Sequence, residues 1–341
     1  MKRDAHLSRR KRTLLCVLIG FLAFLLVVVG TLAVFVNVTL NKIERPEPDQ
    51  TYLTQDEAEE YDLRQAIEDA ENQSVVYPEL DESQLQWTPS QHAIGEEQDL
   101  VNILLIGQDR RPGESRQRSD SMILVTFDQN RRTITMTSFL RDLYVQIPGY
   151  DGNRLNAAYA FGGMELLDET LETNFGVQVD ANIEVDFSGF SSIIDTLGGV
   201  DINLTQAEAD YMGLSAGLQH MDGETALSYA RIRYIDSDFG RTERQRNVLT
   251  SVYQNIRTLP ITQIYALIDT IFPLLTTDMT NAQIVSRAAD LFPMLAGSSL
   301  VSCQIPADGT YTYNTVRGMS VITPDFEANR EILKETLVPE G

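Results

Sequence analysis

An uninterrupted apolar run from Leu14 to Val36, LLCVLIGFLAFLLVVVGTLAVFV, divides the chain before anything else can be read. At about 1.5 Å per residue it makes roughly 34 Å of helix, enough to span a hydrocarbon core of about 30 Å. The run is longer than the core of a cleaved signal peptide, and the following NVTLNKIERPEPD offers no small-residue cleavage site. An uncleaved signal anchor is the prediction. Six of the 27 Lys and Arg lie in the first twelve residues, which places the N-terminus in the cytoplasm and the rest of the chain outside. The expected order is a basic cytoplasmic tail at 1–13, a single-pass transmembrane helix at 14–36, an acidic extracellular stalk at 37–98 and one folded domain at 99–341. Cys16 and Cys303 are the two cysteines, and the first lies inside the span, so no intrachain disulfide is expected. An external domain without disulfides suits a bacterial cell membrane.

The stalk assignment rests on charge. Residues 41–99 hold seventeen Asp and Glu against three Lys and Arg, with prolines at 46, 48, 78 and 89. Within them TQDEAEEYDLRQAIEDAEN reads as one helix with Thr54 and Glu57 as a capping box and Tyr61, Leu63 and Ile67 as a thin apolar stripe. From Leu100 short apolar runs alternate with helical patterns: VNILLIG, SMILVTF, RTITMTS and DLYVQI as strands, a helix from 155 to 173, the strand ANIEVDF and a helix from 188 to 197. Helices from 223 and 242, two more, a return of strands and a last helix at 325–337 follow. Strands alternating with helices define an α/β fold with a central sheet flanked by helices.

In such sheets ligands sit beyond the carboxyl ends of strands. NILLIGQDRR delivers Asp109 there and RQRSDSMILV places Asp120 just before the next strand, with Arg118 beside it. Two hard oxygen donors so placed suit Mg²⁺ shared between protein and phosphate, although an Asp in a loop is more often a turn or cap residue. SFLRDLYVQIPG puts Arg141 between apolar residues, where it must be paired or line a cleft; an ion pair with Asp142 would account for it equally well. NRLNAAYAFGG supplies Arg154 and Asn156 at a helix start, where backbone N–H groups favour anions.

RIRYIDSDFGRTERQR then concentrates five arginines in sixteen residues of a chain whose formal net charge is −22. Read as extended, RIRY would point Arg231 and Arg233 to one face. A helix restarting at Thr242, with Gln245 as its capping partner, would hold Arg241 in its first turn, against the helix dipole. A docked anion would reverse that penalty, and Gln245 would share the face. Solvated surface is the bland reading of Arg244 and Arg246, and it is adopted for Arg246. Several arginines aimed at one point match phosphate oxygens, and with a paired-aspartate Mg²⁺ site they suggest a pyrophosphate.

Six ordered blocks, NILLIGQDRR, RQRSDSMILVTFD, SFLRDLYVQIPG, RLNAAYAFGG, VDFSGFSSIIDTLGGVDI and GLQHMDGETALSYARIRYIDSDFGRTERQR, resemble the LytR-CpsA-Psr family of cell-envelope glycopolymer ligases. The resemblance implies transfer of an anionic glycopolymer (teichoic acid, capsule or another wall polysaccharide) from a polyprenyl-diphosphate carrier to peptidoglycan. It implies Mg²⁺, or Mn²⁺ in its place, at Asp109 and Asp120. Arg118, Arg141, Arg154, Arg231, Arg233, Arg241 and Gln245 would contact the diphosphate. Asp238 would act as a base or orienting group. Position 154 is often lysine in relatives, and the proline often found before the central arginine is Leu140 here. A lipid slot between sheet and helices is a fold-level expectation that no motif locates.

Residues 100–341 carry 18 basic and 31 acidic residues, and the cytoplasmic tail is short, so nucleic acid is excluded as a partner. A membrane-bound transcriptional attenuator, a pyrophosphatase acting on the same precursors and a non-catalytic scaffold are the alternatives.

Overall fold

The apolar runs set out by the sequence form β1 (Leu100–Gln108), β2 (Ser119–Asp128) and β3 (Thr133–Phe139), paired antiparallel in that order. β6 (Ala181–Asp186) adds parallel to β1, and β10 (Ser299–Ile305) adds parallel to β3. β9 (Thr276–Thr277) closes the far edge, so the mixed sheet runs β10-β3-β2-β1-β6-β9. This computed structural model describes residues 36–46, 52–72, 75, 77–85, 87–95, 100–108, 118–233, 235–294 and 297–339. The predicted anchor, Val36 apart, and Asp109 lie outside them. Among the described residues no helix is long and apolar enough to cross a membrane.

Because side chains alternate along a strand, β1 turns Leu104 and Ile106 to one face of the sheet and Ile103 and Leu105 to the other. Both sets are apolar, so both faces need cover. On the first face lies α2 (Leu155–Phe175), backed by α9 (Phe326–Leu337); Leu104, Leu124, Phe139, Leu167 and Leu333 there are each at most 1% exposed. α2 kinks at Gly163, which sits at φ +70° and ψ −151°, and ends at Gly176 in a left-handed cap whose N–H bonds the Glu172 carbonyl. The second face is covered by α3 (Phe187–Thr196), α5 (Gly223–Ala230) and α6 (Asp238–Ile256). There Leu105, Ile123 and Ile183 are paired across three strands, and Leu105 and Ile183 are only half-buried.

Several expectations change. DLYVQI shrinks to β4 (Tyr144–Val145), paired with β5 (Asn153–Arg154), because Pro148 and the turn after it end the pairing. Residues 231–233 of RIRY do not form a strand: α5 runs to Ala230, and Arg231 caps its C-terminus, where a cation suits the dipole. α6 starts at Asp238 after an N-cap at Ser237, four residues before Thr242, so an acid occupies its first turn.

The acidic segment also differs from a solvated stalk. Its helix α1 (Gln55–Asn72) has the Thr54–Glu57 capping box, but Leu63 and Ile67 are 63% and 54% exposed. The inward face is instead Ala58, Tyr61 and Asp62. Ala58 is 3% exposed, and Tyr61 meets Phe161 of α2 edge to face at 6.0 Å. One turn of small and aromatic residues fixes an otherwise acidic helix to the domain.

Candidate functional site

Strand ends and the turns beside them bring Asp120, Arg141 and Arg154 to one rim. Asp120 of β2 accepts from Arg141 at 2.7 Å, and Arg141 also reaches Asp142 at 3.4 Å. Asp142 pairs with Arg154 on its other oxygen at 3.4 Å. Burial would push the Asp142 carboxyl up, but Arg141, Arg154, Arg241 and Arg118 outweigh it and hold the group at about 2. Burial likewise opposes the charge on Arg141, yet Asp142 and Asp120 raise its pKa above the ordinary arginine value. Asp142, treated in the sequence only as a salt-bridge alternative for Arg141, is thus the anionic centre of the cluster.

Arg241 lies 5% exposed one turn into α6, where Asp238 pairs with it at 3.0 Å. Its Nε and Nη1 are buried without a hydrogen-bond partner. Burial lowers its pKa, and Arg141 adds like charge. Arg118 is likewise lowered by burial and by Arg154. It pairs with Asp62 of α1 at 3.3 Å and stacks over Tyr61 at 5.0 Å, so the acidic helix, not the strand loop, fixes this arginine.

Below this rim a cavity of about 230 Å³ opens under the second face of the sheet. Asp120, Arg231, Arg233, Arg241 and Gln245 line it together with Leu105, Ile123, Ile183, Phe190, Ile193 and Leu249. Arg231 stacks over Phe187 at 4.2 Å, and Gln245 accepts from Ser121 at 3.0 Å. Arg231 and Arg233 therefore meet at one cavity, from a helix end and the loop after it. Arg141, Arg154 and Arg118 stand behind Asp120, off the cavity wall. Gly107 lies opposite Ser121 in the ladder, and a Cβ there would come within 3.1 Å of the serine Cβ.

Arg246, read as solvated surface, is interior, and so is Arg244, for which the sequence leaves that reading open. Arg244, 2% exposed, binds Asp236 at 2.7 and 2.8 Å and lies 3.5 Å from Glu208. Arg246 reaches Ser138 and Ser302 at 2.7 Å each, tying α6 across β3 and β10. Neither belongs to the rim. The residues missed by sequence are the cavity wall, Asp62, Tyr61 and Asp142. The apolar odd positions of β1 and β6 were the available signal, since apolar residues on both faces of a strand require a second cover.

Among the described residues no group of three or more His, Cys, Asp or Glu could hold a metal ion by itself. Mg²⁺ commonly takes only one or two carboxylates and completes its shell with substrate phosphate and water, so Asp120 fits one such position.

An apolar cavity lined at one end by Arg231, Arg233 and Arg241, the last with two unpartnered buried donors, has the chemistry to take an amphiphile by an anionic head. The chain belongs to the LytR-CpsA-Psr family, whose LytR_cpsA_psr description matches residues 54–335. It is 36% identical over 246 residues to the polyisoprenyl-teichoic acid–peptidoglycan teichoic acid transferase TagU of Bacillus cereus, covering 69% of this chain and 80% of that protein. TagT bound to LIIa-WTA is similar with a TM-score of 0.59 and 29% identity, over 73% of this chain and 92% of that one. TagT with bound octaprenyl pyrophosphate lipid is similar with a TM-score of 0.54 and 26% identity over the same shares. The match begins at residue 54, inside the segment read as stalk, in keeping with the packing of α1.

Proposed function

We propose that this chain is a membrane-anchored extracytoplasmic phosphotransferase that moves an anionic glycopolymer of the teichoic acid class from a polyprenyl-diphosphate carrier to a hydroxyl of peptidoglycan. The observation that carries the reading is the junction of Arg241, with two unpartnered buried donors, and the apolar cavity beneath it. A diphosphate at that junction would satisfy the orphaned donors while its prenyl chain enters the cavity. Relatives named as teichoic acid transferases, and one holding octaprenyl pyrophosphate, support the substrate class.

In this mechanism Arg231, Arg233 and Arg241 bind the diphosphate oxygens and neutralise charge that builds on the leaving phosphate. Arg141, oriented by Asp142, stands next to Asp120 and shifts from that carboxylate toward the transferring phosphoryl group. Mg²⁺, held by Asp120 and Asp109, would supply further neutralisation of the diphosphate. The acceptor hydroxyl oxygen forms a bond to the glycan-bearing phosphorus as the bond from that phosphorus to the bridging oxygen breaks. The hydroxyl proton passes to Asp238, and polyprenyl phosphate leaves with the bridging oxygen. Gln245, fixed by Ser121, positions the head group without charge.

Radiolabelled lipid-diphosphate glycan incubated with the protein and peptidoglycan tests this. Label in the insoluble wall fraction is expected; release of soluble phosphorylated glycan alone would assign a pyrophosphatase instead, and neither product would remove the enzymatic reading.

A further inference from the structure

The segment that follows the apolar run is not a free tether. Thr39, Leu40 and Ile43 are 5, 5 and 7% exposed, whereas Val38 is 56% exposed. Glu44 donates its N–H to the Leu275 carbonyl at 3.0 Å and accepts from Thr277 at 3.1 Å, extending the β9 edge. Lys42 pairs with Asp269 of α7 (Ile261–Ile271), and Asn281 bonds Asn37 and Asn41 and accepts from Arg45. Leu275 also lines the apolar cavity, so the tether and the cavity wall share a residue.

The surface beside this clamp is nearly free of charge. Residues 258–277, TLPITQIYALIDTIFPLLTT, contain one charged side chain, Asp269, and Lys42 neutralises it. In a chain that is 22% charged, about four would be expected in that length. Among the described side chains of α7 and of the turn after it, the exposed ones apart from Asp269 are Gln263, Thr270 and Pro273, all uncharged, and Ile264, Leu267, Ile268, Ile271 and Phe272 are only half-buried. The eight residue steps from Val36 to Glu44 span at most about 28 Å even fully extended, and the helical turn at 36–40 shortens that.

We propose that α7 and the turn at 272–275 lie against the outer surface of the lipid bilayer, so that the polyprenyl chain passes between bilayer and cavity without crossing water. The proposal rests on reading 14–36 as the anchor and the cavity as the lipid site. The bilayer is the occupant because the clamp holds this face within the reach of a short, docked tether, and because a part-apolar helix whose single charge is paired with Lys42 suits the interfacial zone while the rest of this acidic chain does not. At about 230 Å³ the cavity is smaller than the roughly 300–1,000 Å³ that buries a drug-sized ligand, so most of a long prenyl chain must be housed elsewhere.

The test uses the full chain in the background Cys16→Ser and Cys303→Ser, with single cysteines Gln263→Cys, Thr270→Cys or, as control, Val301→Cys, each carrying an environment-sensitive fluorophore. Val301 lies on β10, at the opposite sheet edge, about 24 Å from β9 at five strand spacings. Each protein is reconstituted into phosphatidylglycerol–phosphatidylethanolamine vesicles with nitroxide-headgroup lipid, and flotation is scored on the same samples. Loss of emission at 263 and 270, with none at 301, is expected. Floating protein whose labels at 263 and 270 are quenched by aqueous iodide and not by lipid overturns the proposal while leaving the anchor. Labels shielded from both quenchers in a concentration-dependent way would assign the face to a second copy and also overturn it. Protein that does not float removes the anchor and the proposal together. None of these readouts depends on transferase activity, so a failure of the proposed reaction is scored separately.

Discussion

Replacing Asp142 by asparagine removes the carboxylate around which Arg141 and Arg154 are arranged while keeping the side chain's shape. The group is held at about 2 against an ordinary 3.8, a gap that corresponds to about 2 kcal/mol of folding stability. Arg154 is itself 7% exposed, and breaking a buried pair by removing one partner generally costs about 3–5 kcal/mol, so the pair loss exceeds the titration effect. The expected result in urea unfolding is therefore a destabilisation of about 3–5 kcal/mol at pH 7. The sign with pH follows from the lowered pKa: the ionised carboxylate stabilises the fold above about pH 4, and that contribution is lost as pH falls toward 2. The difference between wild type and Asp142→Asn should thus be flat from pH 7 to about 4 and narrow by roughly 2 kcal/mol below it. A difference under about 1 kcal/mol at pH 7, the range of an exposed pair, would refute the argument, as would one that does not change between pH 4 and 2.

Arg141→Lys keeps charge but loses the planar fork, and is expected to lower the transfer rate by about 10²–10³ with little loss of lipid affinity; full activity with an altered melting temperature would make Arg141 structural. A fragment beginning at residue 52 should melt well above one beginning at 99, because the shorter one loses Ala58, Tyr61 and the Asp62 partner of Arg118; equal melting by circular dichroism would return α1 to the status of a spacer. Burial pushes the Asp168 carboxyl up to about 8, so the folded chain holds a proton the unfolded chain has released, and stability should fall as pH rises from about 4 to 8. Asp168→Asn should flatten that slope, which pH-dependent urea titrations would show. Asp120→Ala should raise the Mg²⁺ concentration for half-maximal transfer by on the order of tenfold or more, and an unchanged Mg²⁺ dependence would remove this residue from the metal site.

The sheet could be read from the sequence where local pattern and tertiary demand agree. β1 to β3 are continuous apolar or alternating runs, and Gly176 marks the end of α2 because its left-handed backbone suits only that cap. The rim arginines were legible because charge so placed in an acidic chain needs a reason. The reason given for Arg241 was partly wrong in detail: Ser237 and Asp238 begin α6, so the dipole penalty at Arg241 is relieved by an acid on its own first turn. Arg246 was misread and Arg244 left open because nothing local distinguishes a solvated arginine from one that meets Asp236 eight residues back or Ser302 on another strand. Asp62 and the cavity wall were invisible for the same reason: their partners lie across long stretches of chain, and the acidic composition around α1 hid its one inward-facing turn.

The two faces of the sheet have unequal roles in the folding equilibrium. One is closed by α2 and α9, and its side chains find all their neighbours within the chain. The other turns Leu105, Ile123 and Ile183 toward a cavity, so part of its apolar surface is completed by whatever enters there. Occupancy then contributes to folding free energy by mass action, by about 2.7 kcal/mol when ligand stands at a hundred times its dissociation constant. With the lipid carrier proposed above as that ligand, its supply in the envelope would in this way set the lifetime of the protein as well as its turnover.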